Sequence, residues 1–122
     1  MFNNRSHIYG KITNYLHVLG IPVQVMGFIY LREAIKLCVE DRSIRMGTIN
    51  KKVYSQIAKK MGTSASKVER NIRFAIDSGW LDTTADKLNG LIGTKIFSPN
   101  TKPTNSMLIM ALADKFYLDS LE

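Results

Sequence analysis

Little in this chain could staple it, anchor it or carry out chemistry. It has one cysteine in 122 residues, Cys38, so no internal disulfide can form, which excludes a secreted disulfide framework and fits a reducing cytosol. Its longest strongly apolar stretch, Ile21 to Leu31, is interrupted by Pro22, Gln24 and Gly27. A membrane span needs roughly 20 apolar residues, so no membrane partner is expected. The N-terminal residues include Asn3, Asn4, Arg5 and His7 with no apolar run behind them, and no signal peptide is expected. There is no Gly-rich phosphate loop, no H-E-x-x-H and no nucleophile elbow, hence no expected enzyme activity. His7 and His17 lie ten residues apart with no cysteine or carboxylate pair at ligand spacing, so neither a metal nor another cofactor is expected. Cys38 lies within an apolar helical stretch and reads as a small buried hydrophobe. What is present is 45% hydrophobic residues, enough to close one core, with no repeat and no low-complexity segment. The expectation is one cytoplasmic domain over residues 1–122.

Acidic residues are also scarce, and their distribution says more than their number. The chain has 17 Lys and Arg against 10 Asp and Glu, a net charge of +7. Between residues 42 and 73 stand nine basic residues (Arg42, Arg45, Lys51, Lys52, Lys59, Lys60, Lys67, Arg70, Arg73) and one acid, Glu69, so this segment carries +8 and the other 90 residues −1. Charge concentrated in one quarter of the chain suggests a surface that meets a polyanion, against the plainer reading of a solvated Lys-rich helix face.

Hydrophobic spacing predicts helix nearly throughout. Ile8, Ile12, Leu16 and Leu19 recur every three to four residues and stop at Gly20-Ile21-Pro22, giving a first helix of about residues 6 to 19. A second, from about Val25 to Glu40, is apolar on too many sides for one stripe and is expected at the centre. A third covers about Lys51 to Met61, with Gly62 at its end, where a left-handed cap is easiest. Thr63-Ser64-Ala65-Ser66 can cap a fourth helix reaching about Trp80, and Glu69, three residues after Ser66, completes a capping-box pattern. Beyond it come a short helix near Thr84 to Leu91, an extended piece over Thr94 to Phe97, a loop through Pro99 and Pro103, and a last helix from about Thr104 to Leu121. The expected fold is all-α, a compact domain of five to six helices.

Helix, short turn with Gly, helix is the helix-turn-helix unit, and it lies within the basic segment. Ala58 lets the helices cross, Gly62 falls four residues later, Ile57 is buried beside Ala58, and Val68 is the first buried residue of the second helix. The next buried position falls on Ile72 instead of Asn71, still in phase at about 3.6 residues per turn. An ordinary αα-hairpin would share part of this pattern. Projected at about 100° per residue, Val68, Ile72, Ala75, Ile76 and Gly79 share one side. Ser66, Arg70, Arg73 and Asp77 fall opposite, flanked by Lys67, Glu69 and Phe74. Arg and Lys donate to guanine in the major groove and Glu accepts from cytosine, so Lys67, Glu69, Arg70 and Arg73 are candidate base-contacting residues. For Glu69 the capping role stands as the alternative. Lys51, Lys52 and Tyr54 sit where the preceding helix meets a sugar-phosphate backbone, and Ser64 and Ser66 where the second helix begins. Trp80 and Leu81 end the recognition helix and read as core packing. Lys102 to Ser106 reads either as a capped helix start or as one that also holds a backbone phosphate, with Lys102 alongside. The crowding of Met107, Leu108, Met110, Ala111 and Leu112 reads as core or as a dimer surface.

Residues 59–76, KKMGTSASKVERNIRFAI, closely resemble the recognition region of the C-terminal effector domain of the stage-zero sporulation master response regulator family. Gly20-Ile21-Pro22, the segment GFIYLREAI at residues 27–35, Ile57-Ala58-Lys59-Lys60, Lys102-Pro103-Thr104-Asn105-Ser106 and Ala113-Asp114-Lys115 resemble the family's landmarks in order. The resemblance implies a six-helix, sequence-specific transcription regulator, with helix 65–80 in the major groove of a TGTCGAA-type box of double-stranded DNA. It further implies binding as a homodimer on tandem sites and contact with an RNA polymerase sigma factor. Lys67 stands where the family usually has Arg and Phe74 where it more often has His. A point donor thereby replaces a bidentate fork, and a phenyl ring offers a thymine methyl contact but no hydrogen bond. The family's regulators carry an N-terminal receiver domain that this chain lacks, so it is expected to be an excised effector domain or a free-standing relative. A rival reading makes the chain a protein-interaction module or inhibitor that heterodimerises with a full-length regulator; another makes it a nonspecific nucleoid protein. Residues Asp82 to Gly90 match the region of the family's activating surface but resemble it poorly.

Overall fold

The computed structural model describes residues 4–41, 43–44, 49–81 and 83–121, with residues 4–6 and 49–51 described by their backbone alone. Six helices follow in order among the described residues: α1 (Asn4–Val18), α2 (Met26–Glu40), α3 (Ile49–Met61), α4 (Ala65–Gly79), α5 (Thr84–Ile92) and α6 (Asn105–Ser120). No strand occurs among them; the nearest thing is an isolated bridge between Ser98 and Thr101. None is long and apolar enough to cross a membrane. The all-α expectation and its helix boundaries hold to within two residues.

α2 is central because its apolar residues lie on several sides and bury most of its length. Phe28, Leu31, Ala34, Ile35 and Cys38 are buried, and the helix packs against α1, α3, α4 and α6. Its crossing with α4 depends on the absence of a side chain at Gly27, where a Cβ would lie 2.0 Å from the Asn71 carbonyl oxygen and 2.7 Å from the Ala75 Cβ. The crossing carries α4 at a fixed distance from the core, with its opposite side outward. Polar contacts secure α1 and α3 to α2. Glu33, on a mostly buried stretch of α2, accepts from the Tyr9 hydroxyl of α1 and from the Lys60 ammonium of α3 at 2.8 Å. The Arg32 guanidinium stands over the Tyr9 ring at 5.5 Å from its centroid and donates to the Thr13 hydroxyl.

The turn between α3 and α4 is built by Gly62, whose φ of 68° lies in the left-handed region. The Thr63 N–H reaches back to the Ala58 carbonyl at 3.0 Å, the closing bond of a Schellman cap. Ser64 then caps α4, its hydroxyl accepting from the Lys67 N–H at 3.2 Å. Since the cap is Ser64 and not Ser66, the third helical residue is Lys67 and the expected Ser66–Glu69 capping box does not form.

The segment over Thr94 to Phe97, expected to be extended, pairs with no strand among the described residues. Its end is pinned by one side chain instead: Asn89 accepts from the Phe97 N–H at 3.1 Å and donates to its carbonyl at 2.9 Å. Phe97 is thereby buried near Trp80, ring centroids 6.2 Å apart. Trp80 is core as expected, whereas Leu81 is 65% exposed and corrects the packing role given to it. α6 begins at a Thr104 cap, whose hydroxyl accepts from the Met107 N–H at 3.1 Å. Leu108, Ile109, Leu112, Ala113 and Phe116 enter the core from it, and Met107 stays outside.

A candidate nucleic-acid interface on α4 and the start of α6

The outward side of α4 follows from the same phase that buries its inner one. Val68, Ile72, Ala75, Ile76 and Gly79 are buried, while Ser66, Lys67, Arg70, Arg73, Phe74 and Asp77 are exposed. Glu69 lies at the boundary, half-buried. Packing against α2, α3 and α6 holds the helix from behind and leaves this side free to enter a groove.

An open cleft of about 950 Å³ lies between this side and the beginning of α6. Ala65, Ser66, Glu69, Arg70, Arg73 and Asp77 line it from α4, and Lys102, Pro103, Thr104, Asn105 and Ser106 from the far wall. Tyr54 contributes to its floor. The first turn of a helix turns backbone N–H groups outward and carries the positive end of the helix dipole, so the far wall suits a phosphate, with Lys102 exposed beside it. The structure therefore brings Lys102 close to Arg70 and Arg73, some thirty residues away in the chain.

Two ion pairs redistribute the basic charge. The Arg73 Nη1 donates to both carboxylate oxygens of Glu69, at 2.6 and 2.9 Å, so Glu69 serves its neighbour one turn on and not the helix start. Lys60 is held by Glu33, whose carboxyl feels burial pushing its pKa up but ends below the usual range, because hydrogen bonds from Lys60 and Tyr9 favour the charged form. Lys52, Lys59, Lys67 and Arg70 remain exposed, and Lys52 stands near the Asp41 carboxylate. Arg42, Arg45 and the Lys51 side chain lie outside the described residues, as does Asp82 at the start of the expected activating surface.

Tyr54 differs most from its expected place. It is 3% exposed and its hydroxyl is buried, facing the Asn105 side chain without reaching hydrogen-bond geometry. Burial pushes the hydroxyl's pKa up. Its assignment as a surface phosphate donor is corrected on this ground: the ring belongs to the buried core, and the hydroxyl is buried with it. Ser64 and Ser66 are both exposed, the first already engaged as the cap. Sequence reasoning passed over Asn105, whose Nδ2 donates to the Glu69 carbonyl at 3.0 Å across the cleft. No spacing rule connects residues 36 positions apart.

Compared with known families, the chain matches the model of the family described as sporulation initiation factor Spo0A C terminal over residues 12–116. That span contains α2 to α5 whole, both walls of the cleft and every described residue of the outward side of α4.

Proposed function

The chain belongs to the sporulation initiation factor Spo0A C-terminal family, a DNA-binding domain of sporulation transcription regulation, and from that premise we propose that it reads a short TGTCGAA-type box with α4 in the major groove. The observation that carries the reading is the cluster of Lys67, Arg70 and Arg73 on the exposed side of a helix whose other side is locked into the core. Arg70 and Arg73 suit guanine edges, Lys67 serves as a point donor, and Glu69 accepts from cytosine once its pairing with Arg73 yields. Phe74, 58% exposed on the same side, offers a ring to a thymine methyl. Lys51, Lys52, Ser64, Ser66 and Lys102 hold the backbone on either side, which sets register without carrying sequence. Tyr54 supports this surface from beneath. The cytoplasm, where the chromosome lies, is the proposed place of action. Further proposals are a homodimer on tandem boxes and contact with an RNA polymerase sigma factor.

The test is a competition shift assay at physiological salt, box against scrambled duplex, with wild type and Arg70→Ala. Wild type should prefer the box, and the variant should lose about 10- to 100-fold in affinity for it, the range expected for one good base contact. Its melting temperature should be unchanged, since Arg70 is exposed. Equal binding of wild type to both duplexes would refute sequence reading and leave a nonspecific DNA binder.

A further inference from the structure

The outward side of α4 is not held by apolar packing alone. The turn from Glu69 to Arg73, which carries the candidate reading residues Glu69, Arg70 and Arg73, is tethered from outside its own helix by Asn105, whose Nδ2 donates to the Glu69 carbonyl at 3.0 Å. That carbonyl already belongs to the helix, where the N–H one turn on is its regular partner, so the amide is a second donor to it and adds nothing the helix needs in order to form. Asn105 is itself placed firmly. It is the first residue of α6, immediately after the Thr104 cap, and stands against the buried Tyr54 hydroxyl of α3. One side chain therefore links the first turn of α6, the floor of the cleft and the middle of the recognition helix.

From this geometry we infer that Asn105 is a positioning residue for sequence reading, acting through the Glu69 carbonyl to fix how the turn from Glu69 to Arg73 faces the groove. This rests on the sequence-reading function proposed above. Base contacts are sensitive to displacements of a fraction of an ångström because they depend on aligned hydrogen bonds, two at once for an Arg on guanine, whereas phosphate contacts through Lys52 or Lys102 tolerate them. Loss of the tether should thus lower discrimination more than it lowers binding.

Two variants separate this from a purely structural role. Asn105→Ala removes the amide. Asn105→Asp keeps its shape and places a negative charge at a helix N-terminus, where it favours folding, but sets an acceptor against the Glu69 carbonyl. Affinities for the box and for scrambled duplex are measured at one salt concentration, together with melting temperatures. The ratio of the two affinities should fall several-fold to about tenfold in both variants, the scale of one lost hydrogen bond. Asn105→Asp should melt no lower than wild type. Taking the ratio removes the general repulsion that the new charge exerts on DNA. An unchanged ratio in both variants, with wild type discriminating, would overturn the inference and leave the proposed function standing. A ratio that falls only in step with melting temperature would overturn it too, by reducing Asn105 to a packing contact. Absence of discrimination in wild type would overturn the sequence-reading function and this inference together.

Discussion

Single residues in this protein do their work through partners far off in the chain. Glu33 shows the energetics most clearly. A carboxylate in a mostly buried position is stable only if its charge is answered, and Tyr9 and Lys60 answer it from two other helices. Its folded pKa is lowered, so the stability it contributes is present in full above the ordinary value of 4.5 and is lost as pH falls through the lower folded value. Glu33→Gln should therefore cost about 1 to 3 kcal/mol at pH 7, the worth of hydrogen bonds to a charged group, and the cost should be smaller at a pH below the lowered folded value, where the carboxyl is neutral. Urea unfolding of both proteins at the two pH values measures this. The same residue scale explains which contacts could be read in advance. Glu69 and Arg73 are four apart on a helix and their pairing follows from spacing. Glu33 with Lys60, and Asn105 with Glu69, meet only because α2 and α6 return to the same place, and no local pattern announces that.

At the level of elements, the controlling feature is the crossing of α2 with α4. α4 can be rigid while presenting a polar side outward because its inner side lies almost backbone to backbone on α2 at Gly27. Gly27→Ala introduces a methyl 2.0 Å from the Asn71 carbonyl oxygen, and backbone cannot rotate away as a flexible side chain would. The helices must separate, at a cost of about 1 to 3 kcal/mol or more, the range for overpacked cores. Thermal melting should show that loss. DNA affinity measured well below the melting range should fall as well, because α4 then sits differently against α6 and the cleft changes width. Helix existence, order and phase were readable from hydrophobic spacing alone, including the burial of Ile72 in place of Asn71. The cap at Ser64 was not distinguishable from Ser66, since both are serines ahead of a helical run and only the path of the turn at Gly62 chooses between them.

For the molecule as a whole, charge placement is the relevant quantity. The net charge of +7 is almost entirely the work of one segment, yet the fold withdraws part of that segment's charge into ion pairs at Lys60 and Arg73 and adds Lys102 from elsewhere. If Lys52 and Lys102 each neutralise one backbone phosphate, Lys52→Ala and Lys102→Ala should each reduce the slope of log affinity against log salt by about 1. Each should weaken box and scrambled duplex alike, which sets them apart from Arg70→Ala and from the Asn105 variants. Titrations at four or five salt concentrations suffice to see it.

Hydrophobic periodicity, the Gly62 turn and the clustering of Lys and Arg determined by themselves that this chain forms a helical domain with a basic helix-turn-helix. These are local properties, set by side-chain volume, backbone freedom and spacing along the chain. Tertiary structure alone decided which cations remain exposed, that Tyr54 lies inside, and that α6 closes a cleft against α4 and ties it at Glu69. Each of those depends on the angle and distance at which distant helices pack, and these are set by the joint filling of one core.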